Sequence, residues 1–270
     1  MTDLSSRLGL PAEFNEWQGT IKYPDSISFE PWRKTLMNGV LWRSLEIAQS
    51  YKGEDILSFL LKYGEPNATF YSGQRGICEN SGMQQLLKEH NLRLDTTILP
   101  PGLIGREFLR TMGHGHIGFP EIYQVISGNC AFLTFQVEKE NGCAKKIARP
   151  RVVFAKQSDA VILSAQEFHI SVNIGNTHLL LANIVSLKTP PLTDFSLINE
   201  YHGGPYYLVR GSVGEIVFER NPSYGKYEVP ELERTSPSPQ VNKQLQLKKE
   251  EPIFKLIPGR IGLLDFLNAA

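Results

Sequence analysis

Residues 111–123 read TMGHGHIGFPEIY, and the interpretation of the whole chain starts from this stretch. Side chains two residues apart on a β-strand point to the same face, so His114 and His116 can both point into the interior of a barrel. Glu121 follows a short turn, opens the next apolar run and can face the two imidazoles. Two histidines at this spacing often occur by chance, so the stretch needs support from the rest of the sequence.

The sequence around this stretch consists of short β-forming runs separated by turn residues. From Leu94 onward the runs are TTILP, REFLRTM, EIYQVISG, CAFLTFQV, RVVFA, AVILSA, FHISVNI, HLLLANIVSL, YYLVRG and EIVFER. Dipeptides such as Asn141-Gly142 between them are typical of hairpin turns. No helical pattern of useful length interrupts the series before Thr193–His202. The pattern therefore predicts an all-β sandwich or barrel and argues against parallel βαβ units.

A fourth side chain for the same site lies far along the chain. Residues 168–173 read FHISVN and place His169 within a β-patterned run. Three neutral imidazoles and one carboxylate suit a divalent first-row metal ion such as Fe, Mn, Ni, Co or Zn. Such a set leaves coordination positions open, as a catalytic site requires. The alternative interpretation is a group of ordinary hydrogen-bonded barrel histidines, or a barrel that has lost its metal.

Taken together, these motifs resemble the two motifs of the cupin superfamily. The first contains HxH, then Glu121 and then Gly128; the second is the His-x-x-x-Asn pattern of residues 169–173. More narrowly, the segments TILPPG at 97–102, GREF at 105–108 and TMGHGH at 111–116 are similar to the cupin-type phosphoglucose isomerases, best known from archaea. The resemblance extends from residue 92 to residue 224. It implies a mainly β protein built on a cupin barrel, which is a double-stranded β-helix or jelly roll.

The resemblance also implies roles for individual residues. The metal ligands of the family match His114, His116, Glu121 and His169. A family tyrosine that lies near the sugar matches Tyr123, for which the alternative is a core aromatic. Glu121 is the candidate base for proton transfer, because a carboxylate at the edge of a metal site can act as ligand and base.

A phosphate subsite is implied by three further matches. Family threonines and a glycine that hold the substrate phosphate match Thr97, Thr111 and Gly113. Hydroxyls and a backbone N–H can give short, charge-assisted hydrogen bonds to a phosphate. The alternative for the two threonines is an ordinary structural role in strands.

The activity implied is the metal-dependent aldose–ketose isomerisation of a sugar phosphate. The resemblance favours glucose 6-phosphate and fructose 6-phosphate, the pair of glycolysis and gluconeogenesis, with Fe, Mn, Ni or Zn as the cofactor. The family also has a tyrosine and a nearby histidine after the second motif, whereas this chain has Val185 and its neighbours in that region. His202 is a candidate substitute for the histidine. Two alternatives therefore stay open: another metal-dependent cupin enzyme, or a non-catalytic cupin that binds a sugar or sugar phosphate.

The composition argues against several other classes of protein. The chain has 270 residues, 41% of them hydrophobic, and its 28 basic side chains balance 28 acidic ones. A nucleic-acid-binding protein usually carries a basic excess, so no nucleic-acid partner is expected. No apolar stretch approaches the roughly 20 residues that span a membrane, and no signal-peptide pattern is present. The three irregularly spaced cysteines predict a reduced, cytoplasmic setting, and cupins often pair, so a homodimer is expected.

The pattern along the chain predicts three parts. Residues 1–91 are expected to form a helical N-terminal extension packed on the barrel, with helices at 31–64, interrupted at Gly53, and at Gly82–His90. Residues 92–228 are expected to form the cupin barrel itself. Residues 229–270 are expected to be a polar linker followed by an apolar tail that docks on the barrel or on a second subunit.

Overall fold

The computed structural model of the protein describes residues 1–35, 69–116, 118–140, 143–188 and 196–269. Its strands are β1 Thr2–Asp3, β2 Glu13–Asn15, β3 Thr20–Lys22, β4 Ser28–Thr35, β5 Thr69–Cys78, β6 Leu92–Leu99, β7 Leu103–Ile104, β8 Glu107–Phe108, β9 His114–Gly115, β10 Glu121–Ser127, β11 Asn129–Glu140, β12 Cys143–Lys156, β13 Ala160–Leu163, β14 Glu167–Asn173, β15 Leu179–Ser186, β16 Tyr206–Arg210, β17 Ile216–Arg220 and β18 Glu233–Thr235. The α-helices are Ser5–Leu8, Ser81–Glu89, Ser196–Glu200 and Pro239–Gln244, and the 3₁₀ helices are Pro222–Tyr224, Ile253–Leu256 and Ile261–Asn268.

Two large sheets form the barrel. One has six strands in the order β13-β10-β15-β6-β5-β4, and the other has five in the order β18-β12-β11-β14-β9. Their strand pairs are antiparallel apart from the parallel pair of β12 and β18. Buried side chains from both sheets, including Leu99, Val125, Phe132 and Leu181, belong to one apolar core. The predicted mainly β cupin barrel, a double-stranded β-helix, is confirmed.

The strand β15 shows how the six-stranded sheet is buried on both faces. Leu179 and Leu181 belong to the barrel core, whereas Leu180, Ala182 and Ile184 belong to a second apolar cluster. A strand that is covered on both sides reads as a continuous apolar run rather than an alternating one. This burial explains why the segment LLLANIV contains a single polar side chain.

The second apolar cluster joins the two ends of the chain to the outer face of the six-stranded sheet. Leu4 and Leu8 from the N-terminal segment pack there with Phe254, Leu264 and Leu267 from the C-terminal segment. These side chains are almost completely buried. Each fully buried leucine stabilises the fold by about 1.5–3 kcal/mol relative to an exposed one. The predicted apolar tail therefore docks on the barrel of its own chain.

The N-terminal part differs from the expectation. The helix predicted to begin at residue 31 is wrong at its start, because Ser28–Thr35 is a strand that pairs with β5 and extends the six-stranded sheet. Apolar residues four apart in a sequence can share one face of a strand as well as of a helix, so the spacing did not discriminate between the two. The remainder of the 31–64 prediction lies outside the described residues.

The other predicted elements can be compared directly. The helix expected at Gly82–His90 is confirmed as Ser81–Glu89, with the Asn80 side chain accepting a hydrogen bond from the Met83 N–H at 2.9 Å. The expected linker carries strand β18 and the helix Pro239–Gln244. The division of the chain at residues 91 and 228 stays a prediction. Within the described residues, no helix combines the length and the apolar character that a membrane crossing needs.

Candidate metal centre and active site

Three strands bring the predicted metal ligands together at one end of the barrel interior. His114 on β9 lies directly opposite His169 on the neighbouring strand β14. His116 follows β9, and Glu121 is the first residue of β10 in the facing sheet. The site therefore joins both sheets, and its residues come from segments that are distant in sequence.

The glycines of the GHGH motif allow β9 to lie close to β14. Gly113 has φ +88°, and a Cβ there would come within 2.4 Å of the Ile170 side chain. A Cβ on Gly115 would come within 3.2 Å of the Phe168 ring, which packs over this glycine. Larger residues at these positions would push the strand away from β14. The two glycines thus allow β9 to pack close to β14, which places His114 opposite His169.

The ligand atoms of the four residues converge on one point. His114 Nε2 and His116 Nε2 are 3.1 Å apart, and His116 Nε2 is 2.8 Å from Glu121 Oε2. The same carboxylate oxygen is 3.5 Å from His169 Nε2. All four ligand atoms lie within 4.8 Å of one another. The structure therefore brings together every residue that the sequence predicted for a metal site.

Burial controls the charge of the cluster. It lowers the pKa of His114 well below the ordinary value, and the nearby His169, His116 and Arg75 lower it further. Burial also lowers the pKa of His169 to about 4, although the charge of Glu121 opposes this shift. Both imidazoles are therefore neutral at pH 7. A neutral imidazole has the lone pair that a metal ion needs.

The Glu121 carboxylate is held in a fixed orientation. Its Oε1 atom accepts a hydrogen bond from Asn183 Nδ2 at 2.6 Å, while Oε2 faces the imidazoles. Burial alone raises the pKa of Glu121, but His116, His169 and Asn183 outweigh that effect and lower it. Glu121 is therefore an anion at neutral pH, as a ligand or a base must be.

Tyr123 lies against the same cluster. Its hydroxyl is 3.5 Å from His169 Nε2, and its ring packs on Phe132 in the barrel core. Burial raises the pKa of Tyr123 well above its ordinary value, and the charge of Glu121 adds to the shift. Tyr123 is therefore a core aromatic whose hydroxyl lies beside the cluster, and its role next to a sugar stays a prediction.

These residues fit a divalent metal ion. Metal–nitrogen bonds of about 2.0–2.1 Å place neighbouring ligand atoms about 3 Å apart. The separations of 2.8, 3.1 and 3.5 Å in the cluster match that spacing. Imidazole nitrogen and carboxylate oxygen are also suitable donors for first-row ions. The cluster can hold a metal, and its four donors do not by themselves select one ion.

The residues predicted for the phosphate have different surroundings. Thr97 is buried on the inward side of β6, opposite Leu181 of β15. The Thr111 hydroxyl accepts a hydrogen bond from Ser171 N–H at 3.0 Å, and Thr111 N–H donates to the Ser171 carbonyl at 2.8 Å. These two hydrogen bonds attach the segment of Thr111 to β14, which is a structural role. The phosphate assignment of Thr97, Thr111 and Gly113 stays a prediction.

Sequence reasoning missed a polar row on the six-stranded sheet. Asn183 on β15 lies between Tyr123 on β10 and Asp95 on β6. Asp95 accepts two hydrogen bonds from Arg93 Nε at 2.9 and 3.0 Å, and Arg93 Nη2 completes the ion pair at 2.7 Å. The signal was present as one asparagine within an otherwise apolar strand. Its meaning depends on the cross-strand register, which the sequence alone does not give.

The two positions that depart from the expected family pattern can also be placed. Val185, two residues along β15 from Asn183, lies between Glu121 and Arg93, so the side chain is aliphatic where the resemblance implies a tyrosine. His202 is an exposed turn residue with φ +59°, and it is not part of the four-residue cluster. Its suggested role as a substitute histidine therefore gains no support.

Comparison with protein-family models gives the decisive match. The model described as "Glucose-6-phosphate isomerase (GPI)" matches residues 47–224, which is more than half of the chain. The chain belongs to the glucose-6-phosphate isomerase family. Family membership supports an enzyme activity of the glucose-6-phosphate isomerase type. The matched region contains the whole His/Glu cluster, so the cluster is the candidate active site of this family member. Comparison with curated proteins gives no match.

Solved structures add little to this assignment. Oxalate decarboxylase from Bacillus subtilis is 15% identical with a TM-score of 0.30, and the match covers 42% of this chain and 25% of that one. A double-stranded β-helix protein from Klebsiella pneumoniae is 18% identical with a TM-score of 0.26, covering 36% of this chain and 68% of that one. A recombinant oxalate oxidase is 14% identical with a TM-score of 0.26, covering 35% and 41%. The matches span less than two thirds of both oxalate enzymes, and such low scores carry no functional argument.

Proposed function

We propose that this glucose-6-phosphate isomerase family member is a metal-dependent sugar-phosphate isomerase that interconverts glucose 6-phosphate and fructose 6-phosphate. The observation that carries the proposal is the convergence of three imidazoles and one carboxylate within 4.8 Å, inside the region matched by the family. His114, His116, Glu121 and His169 would hold the ion. A divalent cation bound there supplies Lewis-acid stabilisation of negative charge on adjacent substrate oxygens.

Glu121 is the proposed base. Isomerisation removes the proton on C2 of the open-chain aldose and returns a proton to C1, while one proton leaves O2 and another is gained by O1. An ionised carboxylate can accept the C2 proton and deliver it to C1. The hydrogen bond from Asn183 fixes one oxygen of Glu121, so the other is presented to the interior in a constant direction.

Tyr123 is the proposed hydrogen-bond donor beside the base. Its raised pKa keeps the phenol protonated at neutral pH. A phenol near His169 and Glu121 can donate to a substrate oxygen as negative charge builds there. This role depends only on the hydroxyl, and Tyr123→Phe tests it because it removes that group and keeps the ring.

Thr97, Thr111 and the Gly113 backbone are proposed to anchor the phosphate. Binding at a group remote from the reacting carbons positions those carbons against the base. A cytoplasmic location and a homodimer remain parts of the proposal that rest on the sequence. The remaining alternatives are a different metal-dependent cupin enzyme and a sugar-phosphate-binding cupin without turnover.

A coupled assay from fructose 6-phosphate to glucose 6-phosphate tests the proposal. Protein stripped with a chelator and reloaded separately with Fe, Mn, Ni or Zn should regain turnover with at least one ion. His114→Ala should abolish that turnover. His202→Ala, which removes an exposed histidine outside the cluster, should leave it unchanged. If the protein binds metal but shows no turnover with any of the four ions, the isomerase assignment is contradicted.

A further inference from the structure

We propose that Asn183 is a positioning residue that orients the Glu121 carboxylate, and that its amide oxygen accepts a hydroxyl of the bound sugar phosphate. The second half of this proposal rests on the proposed function of the site. Asn183 is 5% exposed and belongs to neither the metal cluster nor the predicted phosphate subsite. Its contacts give it a separate role.

The contact between Asn183 and Glu121 gives the two carboxylate oxygens different partners. Asn183 Nδ2 donates to Glu121 Oε1 at 2.6 Å. Glu121 Oε2 lies 2.8 Å from His116 Nε2 and 3.5 Å from His169 Nε2. Because one oxygen is held by the amide, the carboxylate cannot turn freely to present both oxygens to the imidazoles. Asn183 therefore selects the oxygen that faces the cluster.

The sheet fixes the direction of the Asn183 side chain. Its strand neighbours Ala182 and Ile184 are buried in the outer apolar cluster. Since successive side chains on a strand alternate between faces, Asn183 must point to the barrel interior. Its cross-strand neighbours there are Tyr123 and Asp95. The alternation along β15 thus keeps the amide on the interior face of the sheet.

The orientation of the amide follows from the chemistry of its partner. An ionised carboxylate only accepts hydrogen bonds, so the NH₂ group of Asn183 must face Glu121. This leaves Asn183 Oδ1 as a buried acceptor without a hydrogen-bond partner among the described residues. Asp95 cannot supply the missing donor, because its carboxylate already accepts from Arg93 and from the Gly76 N–H.

A buried acceptor without a donor is unfavourable and calls for an explanation. A ligand that carries hydroxyl groups would provide one, because each hydroxyl can donate one hydrogen bond. Asn183 Oδ1 lies on the residue that holds the candidate base Glu121. We therefore expect the hydroxyl that donates to it to lie next to the reacting carbons of the sugar. The chemical class is a polyhydroxy phosphate with a free hydroxyl beside C2.

The positioning role can be tested without relying on turnover. Cobalt(II) is added to chelator-stripped wild type, Asn183→Ala and Asn183→Asp, and the visible absorption spectrum and Kd are measured. Asn183→Asp keeps the size of the side chain and replaces the donor by an acceptor. Ile184→Val is the control, because it perturbs the same strand on its outer face. Outer partners of metal ligands typically change metal affinity about 10–100-fold.

The expected result is an altered cobalt spectrum and at least about tenfold weaker binding in both Asn183 variants, with wild-type behaviour in the control. Spectra and affinities equal to wild type in both variants would overturn the positioning role. If Asn183→Ala does not fold, the cobalt spectrum and Kd of Asn183→Asp decide the outcome. This arm is independent of substrate, so it stands even when the isomerase assignment fails.

The hydroxyl acceptor is tested by specificity in the metal-loaded enzyme. Wild type is compared with Asn183→Ala on glucose 6-phosphate and on its 3-deoxy and 4-deoxy analogues. The proposal expects wild type to discriminate against one analogue by at least about tenfold in kcat/KM, and Asn183→Ala to lose that discrimination while kcat also falls. Discrimination that is equal in the two proteins for both analogues would overturn the acceptor role. Absence of any turnover by the wild type would overturn both this role and the proposed function.

Discussion

The two ends of the barrel interior differ, although the same strands line both. On β10 the inward residues change from Glu121 and Tyr123 to Val125, and on β15 they change from Asn183 to Leu181. The polar end holds the ligand cluster, and the apolar end is packed as a core. One face of a strand can therefore provide chemistry at one end and rigidity at the other.

The largest effect is expected at the polar end. Glu121→Gln removes a charged ligand and the proposed base while keeping the size of the side chain. We expect kcat to fall by about 10²–10⁴-fold, the usual contribution of a general base. Steady-state kinetics at saturating metal measures this, and thermal unfolding checks that the fold is kept. A loss of only a few fold would remove Glu121 from the mechanism.

The matching change at the apolar end should affect stability instead. Leu179 is 0% exposed in the barrel core and lies opposite Leu99, so Leu179→Ala should lower the free energy of unfolding by about 2–5 kcal/mol. Urea denaturation measures the loss. The kcat of the folded fraction should stay within a few fold of wild type. A variant that keeps its stability and loses its activity would break the distinction between the two ends.

The polar end should also make stability depend on pH when metal is removed. Burial lowers the pKa of His169 to about 4 from an ordinary value of 6.5. The unfolded chain therefore binds a proton between these values that the folded chain does not. The free energy of unfolding therefore does not depend on the protonation of His169 above about pH 6.5. As the pH falls from 6.5 towards 4, protonation of His169 in the unfolded chain lowers that free energy by up to about 3 kcal/mol.

The measurement for this prediction is urea unfolding of chelator-treated protein at several pH values. His169→Asn should show a weaker dependence on pH between 6.5 and 4 than the parent chain, because it lacks the buried group that titrates. Equal slopes for the two proteins over that interval would show that His169 is not the group responsible.

The smallest of these effects is expected for Tyr123→Phe. The ring remains packed on Phe132, and only the hydroxyl near His169 is lost. A hydrogen bond to a charged group contributes about 1.5–3 kcal/mol, which corresponds to roughly 10–100-fold in kcat. Stability should change little. An unchanged kcat would leave Tyr123 as a core aromatic without a role in the reaction.

The sequence predicts the barrel from local patterns, and it predicts the ligand cluster from two local motifs that resemble the cupin motifs. Short strands with period-two alternation and the motifs around His114 and His169 carry enough information to predict the residues that meet. The Asn183 contact was missed because it depends on which residues lie opposite each other across β10, β15 and β6. The Arg93–Asp95 ion pair, by contrast, joins residues two apart on β6, which lie on the same face of that strand.

The error at Ser28–Thr35 has a different cause. Apolar residues four apart fit one face of either a helix or a strand, so local spacing left the choice to tertiary pairing. Pairing with β5 settles it in favour of a strand. By contrast, the helix predicted at Gly82–His90 needs no long-range strand pairing, and in the structure the Asn80 side chain caps it locally.

Metal-dependent isomerisation is tested by measuring turnover and metal occupancy in the same samples. Stripped protein is reloaded in steps with the ion that best restores activity, and each sample is divided between metal analysis and the fructose 6-phosphate assay. Activity should rise in proportion to occupancy, from zero in the stripped protein to a maximum at about one ion per chain. Turnover that persists in metal-free protein, or none at full occupancy, would contradict it.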